Sequence, residues 1–498
     1  MGRDECETVM LYATAVLTKE PSGEESPQSR EAELEAELSA ARAEIVELKA
    51  RLQAMEQLLQ RALEKAGRNS QNTSFPPSSD GPDAPKKEGK PPTGRKPGGQ
   101  PGHKGNFKQI EPAWKVDETV PLKPSTCRNC GSLLLGDEAS PRVHQVLDII
   151  DFKPKVIEYH LYSFSCLFCG EETTACLPPG VPSTAYGPGL IALVALLTGA
   201  YRLSKRLAVR LVDDMLGIHI STGSVVACEA QVSAALEKPF KEAHNYAQKQ
   251  EIKAADETSW KEGKARKKVW LWVLYTMQVT VYLIQPSRST EAAKELLGKQ
   301  LGILVTDRLG SYGWWELRWR QLCWAHMKRH FKKFIDRGGR SAEIGMALEA
   351  ERRRLFDWWK RVQEGALSRE KFRTYVAPLR KRVRDLLTAG VTCPNEKTAG
   401  TCQEIRLVEP ALWTFVRFEG VDPTNNWSER SLRIAVIWRK LSFGTHSANG
   451  SRFVERMLTI TTTLRQQQRN VIEYLTTAVR NNFKREPIPS ILPTPQQA

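Results

Sequence analysis

Three acidic residues between positions 256 and 429 carry the chemistry that this chain advertises. Asp256 stands in Ala254-Ala255-Asp256-Glu257-Thr258, Asp307 follows Leu304-Val305-Thr306, and Glu429 falls in Asn425-Asn426-Trp427-Ser428-Glu429-Arg430. The two aspartates close apolar runs that read as buried strands, and the glutamate sits on a helical pattern. A carboxylate at the end of an apolar strand is costly unless something compensates it. Two such strand ends plus a helix carboxylate supply oxygen ligands for a pair of divalent metals acting on a phosphodiester. Glu257 is a rival ligand, but strand alternation points it to the opposite face. Taken singly, each aspartate also reads as a cap or turn residue, and Glu429 as a surface partner of Arg433 at i+4. Element order, basic surroundings and net charge are what join the three.

A second constellation is sulfur. Cys127-Arg128-Asn129-Cys130-Gly131 and Cys166-Leu167-Phe168-Cys169-Gly170 offer four thiolates in two tight turns, the donor set of a tetrahedral structural zinc. The glycine after each second cysteine permits a positive φ beside the metal. The bland alternative is four reduced cysteines in a small β domain. Cys176, Cys228, Cys323, Cys393 and Cys402 lack paired spacing and read as buried hydrophobes.

The elements that must position these groups are spread over several domains, because 498 residues exceed one core. A formal net charge of +16 calls for a polyanionic partner, nucleic acid first and an anionic membrane surface second. No apolar run reaches membrane-spanning length. The apolar stretch 9–17 follows Asp4, Glu5 and Glu7, the wrong charge for a secretory signal, so a cytoplasmic, nucleoid-associated protein is expected.

After a tail at 1–29, residues 30–68 form a heptad pattern. Leu38, Ile45, Leu52 and Leu59 hold one core position and Leu34, Ala41, Leu48 and Met55 the other, which predicts a coiled coil and a homo-oligomer. Residues 69–109, with Lys86, Lys87, Lys96 and Lys104, read as a flexible basic linker able to touch phosphates. The zinc-binding β domain follows at 110–180. Helical patterns at 181–240, with a Gly217 stop and a Ser221-Thr222 start, suggest a helix-turn-helix-like DNA-binding domain, although its third helix is poor in Arg and Lys.

From 245 the pattern changes to strands. Ile252 to Asp256, Lys268 to Thr276 and Val279 to Ile284 precede a capped helix from Ser289 to Gly298. Leu301 to Thr306 is a fourth strand, and Arg320 to Trp324 a fifth that runs into the basic helix 326–336. The order β-β-β-α-β-α-β is that of a ribonuclease-H-like catalytic core over 245–340 and 413–483. A helical insertion spans 341–412, with 392–404 loop-like, and a tail covers 484–498. First and fourth strands are neighbours in that fold, so Asp256 and Asp307 would end close together. His326, Arg329, Arg430, Arg433, Arg439 and Lys440 are candidate DNA contacts.

Over residues 30–483 the chain resembles a transposase of the insertion-sequence-66 family, an acidic-triad (DDE) enzyme. The resemblance rests on the leucine-zipper start, Ser74-Phe75-Pro76-Pro77-Ser78-Ser79-Asp80, Gly98-Gly99-Gln100-Pro101-Gly102-His103 and the double CxxC. It also rests on Ala255-Asp256-Glu257-Thr258, Cys323-Trp324-Ala325-His326, Asn425 to Arg430, and Arg439 to Thr445. Two departures stand out. Asp307-Arg308-Leu309-Gly310-Ser311-Tyr312 replaces the more usual Asp-Gly-Tyr, and Met327-Lys328-Arg329-His330 follows His326 where shorter side chains are usual. The resemblance implies two catalytic Mg2+ (or Mn2+) on Asp256, Asp307 and Glu429, cleavage at the element's terminal inverted repeats, and transfer of the 3′ end to target DNA. Accessory proteins from the same element are possible partners. A catalytically inactive DNA-binding regulator and a stand-alone metal-dependent nuclease are the alternatives.

Overall fold

The computed structural model describes residues 27–66, 110–134, 143–147, 154–182 and 184–493. Lys86, Lys87, Lys96 and Lys104, and with them the basic linker, lie outside the described residues. One compact unit, Met1–Lys86, contributes the helix Pro27–Ala66. Along it Leu34, Leu38, Ile45, Leu48, Leu52, Met55 and Leu59 are all at least half exposed.

The second unit, Lys87–Ala498, holds the sheet that presents the acids. A small hairpin of β1 (Ser163–Ser165) and β2 (Glu172–Thr174) belongs to the cysteine region. The main sheet contains β3 (Ile252–Glu262), β4 (Lys267–Tyr275), β5 (Thr280–Gln285), β6 (Ile303–Thr306) and β7 (Arg320–Leu322), in the order β5-β4-β3-β6-β7. β3 to β5 form an antiparallel meander, whereas β6 pairs parallel with β3, and β7 parallel with β6. Parallel pairing needs a crossover, and the helix Thr290–Leu297 supplies it. The Ser289 hydroxyl accepts from Ala292 N–H at its start and Gly298 ends it.

Four expectations need correction. Cys176 is exposed, unlike Cys228, Cys323, Cys393 and Cys402, which are buried. β3 does not stop at Asp256. It continues to Glu262 because β4 pairs with it residue for residue from Ala254↔Tyr275 to Glu262↔Lys267, so Asp256 sits within a strand. Between β6 and β7 there is no α-helix but two 3₁₀ turns, Gly310–Tyr312 and Leu317–Trp319. Residues 392–404 are not a loop. The Asn395 side chain accepts from Thr398 N–H at 3.1 Å and starts the helix Glu396–Leu407, which buries Thr398, Cys402 and Ile405.

Both faces of the sheet are covered. The helices Pro188–Gly199, Lys205–Leu216 and Thr222–Ala235 share one hydrophobic core with β4, β5 and the helices Asn426–Ser442, Ala448–Gln466 and Val471–Lys484. The helices Trp324–Asp336, Gly339–Gln363, Arg369–Val391 and Glu396–Leu407 form a second core with residues of β3, β6 and β7. The 188–235 helices thus fold as part of the sheet's own core. Thr222–Ala235 contains no Lys or Arg.

The open edge of β5 is closed by side chains rather than by another strand. Ile284, Tyr282 and Thr280 donate their N–H groups to Glu455 Oε1 (2.6 Å), Thr459 Oγ1 (3.0 Å) and Thr463 Oγ1 (3.1 Å). Four helical residues rise about 6 Å and two strand residues about 6.7 Å, so one acceptor per turn matches every second strand amide. Unpaired edge amides invite association, and this helix occupies them. Thr459→Val should leave the buried Tyr282 N–H unsatisfied and destabilise the protein by about 1–3 kcal/mol, read from denaturant unfolding. An unchanged midpoint would remove the role.

Candidate active site and cysteine knuckles

Asp256 and Asp307 come level through strand register. Ala254 pairs with Val305 in the parallel β3–β6 ladder, and each aspartate lies two residues further along its own chain. Glu429 arrives on the first turn of Asn426–Ser442 and donates its backbone N–H to Asn425 O at 3.1 Å. Asn425 fixes that helix against the sheet. Its side-chain amide donates to Ala255 O at 2.8 Å, and its backbone N–H donates to Cys323 Sγ at 3.2 Å. One residue therefore ties the Glu429 helix to the strand carrying Asp256 and to the end of β7.

The three acids are near enough to feel one another's charge, although among the described residues their carboxylate oxygens do not all lie within 4.8 Å of one another. Asp256 is held well above the usual carboxylate range, first by burial and then by the negative charges of Glu257, Asp307 and Glu429. Glu429 Oε1 is buried without a hydrogen-bond partner, as is Nδ1 of His326, 3.7 Å away. Burial and the charge of Arg329 keep His326 below the ordinary imidazole range. Crowded carboxylates with an orphaned oxygen fit hard divalent cations, which take oxygen ligands and relieve the repulsion.

Glu257 is engaged elsewhere. Its Oε1 accepts from Arg288, with Nε at 2.9 Å, and its Oε2 accepts from the Tyr312 hydroxyl at 2.7 Å. Its side chain is 1% exposed. Burial and Asp307 push its carboxyl up, against the pull of Arg288 and Tyr312.

Several positioning residues carry no strong signal in the sequence. Buried Arg320 donates to Asp307 O (2.9 Å), Leu309 O (3.3 Å), Tyr312 O (3.2 Å) and Thr306 Oγ1 (3.1 Å), clamping the loop that presents Asp307. Asp307 Oδ1 accepts from Leu309 N–H at 2.8 Å and tightens the same turn. A Cys-x-x-His at 323–326 was the available clue.

The candidate DNA contacts are unequal. Arg433 and Lys440 are exposed, and Arg430 lies over the exposed Trp427 ring at 5.2 Å. Arg439 is instead bound to β3 through Thr258 Oγ1 (2.9 Å) and Ser259 Oγ (2.7 Å), so its guanidinium braces the helix on the sheet. Arg308 pairs with Glu404 of the insertion.

The two cysteine turns are built alike. Cys127 N–H donates to Ser132 O and Gly131 N–H to Cys127 O. Cys166 N–H donates to Glu171 O and Gly170 N–H to Cys166 O. Gly131 and Gly170 both sit at φ +74°, where a side chain would be strained. Hydrogen bonding with Ser132 brings the Cys130 thiol down to about 7, and backbone hydrogen bonds from Cys169 and Phe168 lower Cys166. Thiolate character and this backbone suit zinc. Among the described residues no three of these four sulfurs lie mutually within 4.8 Å; the group that does meet that distance is Cys323, His326 and Glu429.

Known families match three stretches. Residues 124–170 match the zinc-finger binding domain of transposase IS66, which supports a structural zinc on the knuckles. Residues 24–109 match a family of unknown function, DUF6444. Among curated proteins no relative matches the chain. Among the described residues no helix is long and apolar enough to cross a membrane. Residues 183–452, more than half of the chain and all three acids with it, match the Transposase IS66 family, and the chain belongs to that family.

Proposed function

We propose that this transposase cuts DNA at the ends of a mobile element and joins the freed 3′ ends to target DNA, with Asp256, Asp307 and Glu429 as its acidic triad. The observation that carries the reading is the β3–β6 register that brings Asp256 and Asp307 level, with Glu429 near enough to add its charge to theirs. The strand order β5-β4-β3-β6-β7, three antiparallel strands followed by two parallel ones, supports a ribonuclease-H-like core.

Two magnesium ions bound by the triad would polarise the scissile phosphate and lower the pKa of an attacking water. The chain's own work is positional. Arg320 fixes the Asp307 loop, Asn425 fixes the start of the Glu429 helix, and pairing with Val273 of β4 holds Asp256 within β3. Arg329, Arg430, Arg433 and Lys440 provide positive charge for phosphates, and His326 faces the scissile region from beside Glu429. The knuckles form a zinc-stabilised DNA-contacting module. Incubation of the protein with magnesium and a labelled element end tests the whole reading. Nicked and joined products are expected. Cleavage without joining would mark a stand-alone nuclease, and binding without cleavage a regulator.

The exposed apolar row of Pro27–Ala66 supports a coiled coil between copies of the chain, which suits an enzyme that must hold two DNA ends. Removing residues 1–68 should lower the solution mass measured by light scattering and abolish paired-end complexes. A shortened chain with unchanged mass and intact pairing would exclude that role.

A further inference from the structure

Cys323 immediately precedes the helix Trp324–Asp336, and His326 lies in its first turn. The Cys-x-x-His spacing turns both side chains to one side of that helix end, where Glu429 meets them from another helix. Cys323 Sγ, one ring nitrogen of His326 and a Glu429 carboxylate oxygen lie within 4.8 Å of one another. Nδ1 and Oε1 are buried and unpartnered. Their separation of 3.7 Å is too long for a hydrogen bond. Two ligands of one tetrahedral zinc, with bonds of about 2.1 Å, sit roughly 3.4 Å apart, so a small closure suffices.

Donor chemistry selects the ion. Sulfur, imidazole nitrogen and a single carboxylate oxygen suit zinc, cobalt or cadmium, whereas magnesium takes oxygen. The Asn425 N–H that donates to Cys323 Sγ at 3.2 Å is an outer hydrogen bond suited to a metal thiolate. The start of a thirteen-residue helix favours negative charge on Cys323, whereas burial and then Glu429 push its thiol up, so the ion itself must draw off the proton. Arg329 opposes a cation here, and Asp307 and Glu429 favour one.

We propose that Cys323, His326 and Glu429 bind a zinc-class ion, separate from the cysteine knuckles, and that its binding withdraws Glu429 from the triad and stops strand cleavage. Only the inhibitory half rests on the proposed function of Glu429. When the ion binds, the Cys323 S–H bond breaks, the proton leaves to solvent and a sulfur–metal bond forms, with no change of oxidation state. A fourth position remains for water.

The full chain, with its knuckles already filled by zinc, is titrated with Co2+ and, separately, with zinc followed by dialysis and metal analysis. The wild type should gain a second equivalent and a thiolate-to-cobalt charge-transfer band. Cys323→Ser should lose both, and His326→Ala, at a less buried position, should weaken both. With magnesium saturating, zinc should inhibit cleavage by the wild type. Each variant, measured against its own zinc-free rate, should need at least about tenfold more zinc. A single equivalent in the wild type, or a band untouched by either variant, overturns the site. If that happens while cleavage proceeds, the triad reading stands alone. A second equivalent in a protein that never cleaves leaves the site standing and removes the triad reading with the inhibitory half. A second equivalent with zinc-insensitive cleavage overturns the switch.

Discussion

Asp256→Asn, Asp307→Asn and Glu429→Gln should each reduce strand cleavage by about a thousandfold or more, while DNA binding and folding persist. Loss of one preorganised electrostatic group commonly costs about a hundred- to a thousandfold, and here each acid also serves metal occupancy. The three act as one unit, so a double variant should be little worse than either single one. Manganese should partly replace magnesium, and calcium should allow binding without cleavage. Near-full activity in any single variant would break the triad assignment.

The same cluster makes a second, activity-independent forecast. The Asp256 carboxyl is raised by burial, then by Glu257, Asp307 and Glu429. A carboxyl whose folded pKa exceeds its unfolded one lends stability that is complete below the ordinary carboxylate range and is lost as pH rises through the raised folded value. The Asp256 contribution to the stability of the metal-free wild type should therefore be lost as pH rises from acid towards neutral. Asp256→Asn should flatten that loss and melt higher than metal-free wild type near pH 7. Magnesium should raise the wild-type melting temperature and leave the variant nearly unmoved. A variant that melts lower in the absence of metal would show that like-charge crowding does not dominate this site.

How far this was legible in the sequence depended on the range of the interactions. Alternation in Val269 to Tyr275 marks β4, and the Ser221 and Ser289 caps mark their helices, because those signals are local. The far half of β3 was hidden. Lys261 and Glu262 are poor strand material alone, and pairing with β4 holds them. The helix at 396–407 was missed because Gly400 and scattered threonines dilute its pattern, while Asn395 and the burial of Cys402 and Ile405 determine it. Between β6 and β7 a helix was expected from element order alone. Gly310 and Gly313 leave short turns there, and Tyr312 and Trp315 anchor them in the core. The acids could be named from their surroundings. Arg320 and Asn425 could not, since Arg320 acts on the backbone of an irregular loop that only the fold shapes, and Asn425 on Ala255 and Cys323, more than a hundred residues away.

Cys127→Ser or Cys169→Ser should release about one zinc per chain and unfold the region 110–180, leaving the core from 184 onward intact. The hairpin β1–β2 has three residues per strand, all exposed, so this region has no buried apolar core of its own among the described residues. Leu167 and Phe168, between the second pair of cysteines, are almost wholly exposed. Without a core, the metal must supply the folding energy. Structural zinc in comparably small domains contributes about 10–16 kcal/mol near pH 7, more than the net stability of most whole domains. Each knuckle is already shaped by its backbone hydrogen bonds and its glycine, so the ion has mainly to draw two preformed turns together. Binding releases thiol protons, and affinity should fall as pH drops below neutral, where Cys130, at about 7, becomes protonated. Metal analysis of carefully reduced protein, with limited proteolysis before and after chelation, separates the outcomes. New cuts confined to 110–180 are expected in the variants and in the chelated wild type. Reduced wild-type protein without zinc, or a cysteine variant as resistant to protease as the wild type, would make these four residues ordinary thiols.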